Sequence, residues 1–173
     1  MSKPKMAAII GPVAVVMTTL VVGTAAAVSF LRVGTTTSRQ YVIDQTNAWS
    51  VPTVNTWTNV PSASVTVTIP AGTRRLISAR FNAESLCTGS GWCSVRVIYV
   101  RAADGATAEL GPQSGTDFAF DSAGGSWEAH AIERTSTGFL PAGTYSVRVQ
   151  AQRVNSSQFR LDDYLTNVAL INP

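Results

Sequence analysis

The sequence predicts an all-β fold, a two-sheet antiparallel sandwich preceded by one N-terminal hydrophobic helix. Three observations carry this. Apolar and polar side chains alternate with a period of two through several runs after residue 60. β-branched residues crowd those runs, and Gly, Pro and Asp turn signals separate them. Residues 6–31, by contrast, are 26 positions without one charged side chain.

That first segment bounds the organisation of the chain. A helix rises about 1.5 Å per residue, so such a run exceeds the roughly 30 Å hydrocarbon core of a bilayer. Lys3 and Lys5 precede it and favour a cytoplasmic N-terminus, while Arg32 and Arg39 follow it and weaken the asymmetry. Two readings stand. Residues 6–31 form an uncleaved transmembrane anchor. Alternatively, Gly11-Pro12 breaks the run, Val13 to Val22 is the apolar core of a secretory signal, and Ala25-x-Ala27 sets cleavage near Ala27. Either way the rest of the chain is expected outside the cytoplasm, in the membrane-bound or the secreted form. The expected division is residues 1–31 as signal or anchor, 32–40 as a Gly/Thr/Ser-rich stalk, and 41–173 as the sandwich domain.

Within that domain the strands read in order. Val65, Val67 and Ile69 alternate with Ser64, Thr66 and Thr68. Ile77, Ala79, Phe81 and Ala83 alternate with Ser78, Arg80 and Asn82; Val95, Val97 and Tyr99 follow with Ser94, Arg96 and Ile98. Tyr145, Val147, Val149 and Ala151 make another run, and Tyr164, Thr166, Val168 and Leu170 the last. One face of each is apolar, as half-buried antiparallel strands require. Asp104-Gly105 has the composition of a hairpin turn. Pro70-Ala71-Gly72-Thr73 and Pro141-Ala142-Gly143-Thr144 are identical tetrapeptides, each poised to turn the chain before a strand. The Gly/Ser/Asp-rich stretch 111–125 reads as loop around a short Phe118-x-Phe120 strand.

Charge narrows the partners. Both lysines precede the apolar run, so the remaining chain holds 11 arginines against 10 acids, a net of 11 − 10 = +1. The acids are interspersed with the arginines, and no basic block forms, which argues against a nucleic-acid partner. Cys87 and Cys93 flank Thr88-Gly89-Ser90-Gly91-Trp92. In an oxidising compartment such neighbours form a disulfide, and the two glycines let the chain reverse between them.

The segment Gly138-Phe139-Leu140-Pro141-Ala142-Gly143-Thr144-Tyr145-Ser146-Val147-Arg148-Val149-Gln150, with Asn155-Ser156-Ser157, Phe159-Arg160-Leu161-Asp162-Asp163 and Leu165-Thr166-Asn167-Val168 after it, resembles the last two strands of bacterial and phage jelly-roll domains of the tumour necrosis factor and complement type. Val65 to Val100 looks like their early strands. The resemblance implies a jelly-roll-like sandwich, trimeric association, and a part in adhesion or structural display. It implies no catalytic residues.

The candidate sites are few. His130 is the only histidine and shares a strand face with Glu128 and Ile132, but no nucleophile-elbow pattern accompanies it, so no catalysis and no cofactor are expected. Trp92, which the predicted disulfide loop is expected to hold at an exposed tip, and Trp127 are the candidate binding aromatics, for a sugar or a protein surface. No resident metal is assigned. The grouping nearest to a calcium site is Asp162 or Asp163 joined to Asp117 or Asp121 by a turn before the last strand. The resulting expectation is a membrane-tethered or secreted module with a structural, adhesive or surface-assembly role. The alternative is a carbohydrate-binding module using exposed aromatics, and a hydrolase comes third.

Overall fold

A computed structural model describes residues 34–115 and 118–173. Residues 6–31, assigned above to an anchor or signal, lie outside the described residues, as does Asp117. Every regular element among the described residues is a strand, and none is a helix long and apolar enough to cross a membrane.

The strands are β1 (Thr37–Gln45), β2 (Trp49–Ser50), β3 (Thr58–Arg101), β4 (Thr107–Glu109), β5 (Asp121–Ser122), β6 (Trp127–Thr135) and β7 (Leu140–Ile171). All pairings between them are antiparallel, along the path β1-β7-β3-β4 with β2 on β7 and β5 and β6 on β3. β3 and β7 are too long to be straight strands. Their register shows where they bend. Residues 76–88 of β3 pair with 158–171 of β7, and residues 92–101 of β3 pair with 145–154 of β7, with register shifts at Thr88/Gly89 and Gly89/Trp92. Residues 76–101 of β3 and 145–171 of β7 therefore form one two-stranded ribbon that folds over on itself.

The fold of the ribbon makes two layers. The first runs β1, 158–171, 76–88, β6. The second runs 58–69, 143–154, 92–101, β4, with β5 also pairing to 92–93. Eight paired segments in this order are the strand plan of a jelly roll. The alternation read in the sequence points its apolar members between the layers. Ile77, Phe81, Val168 and Leu170 from one side and Val67, Val97, Tyr145, Val147 and Val149 from the other are all at most 2% exposed and belong to one core. Burying each such side chain contributes about 1.5–3 kcal/mol. Phe120 fills the gap between the layers, its ring 6.0 Å from Phe81 and 6.5 Å from Phe159.

The corners show why their sequences are what they are. The two Pro-Ala-Gly-Thr turns lie side by side, with Ile69 opposite Gly143 and Arg74 opposite Pro141. Each carries the chain from one layer to the other. Thr73 donates back to the Pro70 carbonyl at 2.7 Å, and the Tyr145 hydroxyl donates to the Pro141 carbonyl at 2.9 Å, so each proline carbonyl closes its own turn. At the opposite corner Cys87 and Cys93 are joined, with Cα atoms 6.0 Å apart. Between them Gly91 has φ +114 and packs on the other strand of the ribbon, where an added Cβ would run into the Val154 carbonyl oxygen. At Gly89, φ +99, the Cβ would lie 2.7 Å from the Ser157 nitrogen. Asp104-Gly105 turns as expected, with Gly105 N–H donating to Arg101 O at 2.9 Å.

Two boundaries differ from the sequence expectation. Residues 37–40, assigned to the stalk, are already strand: Gln40 pairs with Ala169, and Thr37 with Ile171. They are exposed on both faces, so backbone pairing holds them without an apolar pattern. Phe118-x-Phe120 is loop rather than strand. Phe120 N–H donates to Cys93 O at 2.8 Å, and the aromatic alternation serves to plug the sandwich.

Two measurements follow. Gly91→Ala combines a backbone conformation reserved for glycine with a carbonyl overlap, and should cost about 3 kcal/mol or more. In thermal unfolding this corresponds to a melting temperature lower by about 10 °C; an unchanged midpoint contradicts the close approach. The second concerns Tyr145 and Tyr164, which are buried, with the Tyr164 hydroxyl donating to Pro61 O at 2.8 Å. Burial raises both phenol pKa values. Below about pH 10 both phenols are neutral folded and unfolded, and contribute no pH dependence. Above it the unfolded chain loses its protons first, so stability falls as pH rises toward the folded values. Urea unfolding should show this alkaline loss, and Tyr145→Phe with Tyr164→Phe should flatten it.

Candidate functional site

Polar side chains converge beside the cystine corner. Ser85 lies two residues before Cys87 and faces inward, fully buried. β5 brings Asp121 opposite Cys93, and β6 brings Glu128 opposite Ser85 and His130 opposite Ala83. The Ser85 hydroxyl donates to Asp121 Oδ2 at 2.7 Å and lies 2.9 Å from His130 Nδ1. His130 Nε2 is 3.6 Å from Glu128 Oε2, with side-chain exposures of 28% and 53%. Asp121 is only 4% exposed. The His130 ring also packs on Phe120, centroids 5.4 Å apart. Glu128, His130 and Ile132 share a face, as their spacing predicts. Ser85 and the approach of Asp121 were not foreseen.

Hydrogen bonding orders the group. A serine hydroxyl has one hydrogen, and a carboxylate can only accept. Ser85 therefore gives its hydrogen to Asp121 and accepts from His130 Nδ1–H. The serine stands between the acid and the imidazole. A hydrolytic triad needs the imidazole between the other two, with the serine oxygen open to substrate. A fully buried Ser85 in the middle position cannot act as that nucleophile, which agrees with the absence of an elbow motif. Asp121, Glu128 and His130 each place one ligand atom within 4.8 Å of the others, so the group has the donor set to hold a cation.

The other candidates are dispersed. Trp92 is not at an exposed tip: it lies in the ribbon opposite Val154 and Ser122, half-buried, with Nε1 buried and without a hydrogen-bond partner among the described residues. Trp127 is 42% exposed on the outer face of the first layer, with the Arg160 guanidinium 5.3 Å from its ring centre. The calcium grouping does not assemble from the described acids. Asp121 lies on the inner face beside Ser85, whereas Asp162 is opposite Glu84 on the outer face. Asp163 is exposed at φ +41, its amide donating to Asp162 Oδ1 at 3.0 Å.

No protein family and no curated protein matches this chain. Among solved structures, it is similar to the infectious bursal disease virus VP2 subviral particle at 13% identity and a TM-score of 0.41, over 77% of this chain. Structures of the Gx and Gt strains of that virus match at 14% and 12% identity, with TM-scores of 0.38 and 0.39, over 78% and 84% of this chain. The chain spans about a third of the length of each, 33%, 33% and 34%.

Proposed function

We propose that this chain is an extracytoplasmic structural module, a jelly-roll domain held at a membrane by a hydrophobic helix over residues 6–31, or released after cleavage near Ala27, and used in surface assembly or adhesion. The observation that carries this reading is how the fold uses its space. The interior is filled by aromatic and branched side chains, and the outside offers sheet faces. The outer face of the second layer is a field of hydroxyls, with Ser64 and Ser146 at 3.4 Å and Thr68 and Thr144 at 3.5 Å. On the outer face of the first layer, a shallow recess of about 290 Å³ is lined by Gln40, Ser78, Arg80 and Glu133 among others. Such faces suit contact with another broad surface better than enclosure of a small substrate. The cystine supports a location outside the reducing cytoplasm.

Assembly in this reading is homo-oligomeric, with a trimer as the expected form. Light scattering on the detergent-extracted or secreted protein should give the mass of three chains of 18.3 kDa each, less any cleaved segment. A strict monomer at high concentration contradicts it.

A second reading, carbohydrate binding, is favoured by one observation, the exposed Trp127 indole with Arg160 over it. The apolar face of a sugar ring can stack on such an indole. On a glycan array this reading expects binding that disappears in Trp127→Ala, and an empty array removes it.

A further inference from the structure

We propose that Asp121, Glu128 and His130 form a site for a first-row divalent transition cation of the zinc class, with Ser85 orienting the imidazole. The inference goes beyond the structural role argued above and does not depend on it.

Ser85 accepts from His130 Nδ1–H because its own hydrogen goes to Asp121. With Nδ1–H held by Ser85, the neutral ring is the tautomer that offers its Nε2 lone pair to a metal. That lone pair faces Glu128 Oε2 at 3.6 Å. A proton on Nε2 or a shared cation bridges such a pair, and the three ligand atoms of Asp121, Glu128 and His130 lie within 4.8 Å of one another, as one cation requires. Asp121 is 4% exposed, and its Oδ2 accepts from Ser85.

A dication meets each requirement. Two carboxylates and a neutral imidazole carry a charge of −2, which it cancels. Ligands held about 2.1 Å from zinc in a tetrahedral arrangement are about 3.4 Å apart, close to the observed His130–Glu128 separation. Glu128 is half in solvent, its Oε1 accepting from Ser126 Oγ at 2.8 Å, and closing the remaining distance to Asp121 exchanges that surface hydrogen bond for the cation. Imidazole in the set selects zinc, copper, nickel or iron over calcium and magnesium, which prefer all-oxygen ligation. Metal-bound histidines characteristically donate their other N–H to a fixed partner, and here Ser85 is that partner with Asp121 behind it. The site sits where β5 and β6 meet the cystine corner, so an ion there would join these two strands by their side chains, with Ser85 of β3 behind the imidazole.

The test is calorimetric titration of the full-length, EDTA-treated protein with zinc chloride. One equivalent should bind saturably. Glu128→Gln places an amide donor opposite Nε2 and satisfies the lone pair without a metal; it should weaken binding at least tenfold, as should His130→Gln. Glu128 is exposed, so Glu128→Gln keeps the test open if a buried variant fails to fold. Ser85→Ala should weaken binding about 10- to 100-fold, as loss of an orienting partner does. Calcium chloride should bind at least tenfold more weakly than zinc. In imidazole nitrogen NMR, zinc should move the Nε2 resonance and leave Nδ1 protonated. No saturable binding, binding unchanged in all three variants, or calcium bound as tightly as zinc overturns the proposal.

Discussion

The structure depends on one folded ribbon. Residues 76–101 of β3 stay paired with 145–171 of β7 on both sides of the register shifts at 88–92, and the pair bends back so that its inner faces meet, with 58–69 added along 143–151. Hydrogen bonds along the ribbon are satisfied before and after the bend, so bending leaves few backbone groups without partners. The bend also puts residues 76–88 and 92–101, neighbours in sequence, into opposite layers. The core between the layers therefore joins segments close in sequence, 76–88 and 92–101, with segments of β7 distant from both. Two glycines permit the strands to stay close at the bend, and the cystine ties its two sides together. β1, β4 and β6 then extend the layers outward, and Phe120 closes the gap.

The polar group follows from the same bend. Ser85 and Cys87 lie on one inner face of the ribbon, and Cys93 on the other. β5 pairs at Cys93 and so delivers Asp121 to the space beside Ser85. β6 pairs along 78–86 and delivers His130 and Glu128 to the same space. A buried carboxylate is costly without partners, and the hydroxyl of Ser85 and the imidazole behind it offset that cost. Elsewhere charges sit at the rim. Arg96 stacks on Trp57 at 4.3 Å and meets Glu109 at 3.6 Å; partial burial lowers its pKa, and the carboxylate opposes that shift. Arg101 and Asp104 pair in solvent at the hairpin turn, where such pairs contribute little.

Much of this was legible in the sequence. Period-two alternation at 64–69, 77–83, 94–99, 145–152 and 164–170 marks the strands because one face of each must be apolar. Asp104-Gly105 and the paired cysteines were readable because turn and disulfide chemistry are local. The strand at 37–40 was hidden because an edge strand exposed on both faces has no burial pattern to display. Phe118-x-Phe120 misled because two aromatics can alternate along a loop that plugs a core as well as along a strand. Trp92 was misplaced because its loop is pinned against Val154 and Asn155, which nothing near residue 92 encodes. The site was half visible: the Glu128–His130 spacing is local, but Ser85 is 45 residues from His130 and 36 from Asp121. Only the fold of the ribbon brings them together.

Native-state hydrogen exchange tests the folded ribbon most directly. If the two halves enclose one core, the amides of Ile77, Phe81, Val95, Val97, Val147 and Val168 should open together, with a common free energy equal to that of global unfolding. Exchange in which residues 76–88 and 158–171 retain protection while 92–101 and 145–154 open independently would contradict the account, since the layers would then be separate units rather than one ribbon closed on itself.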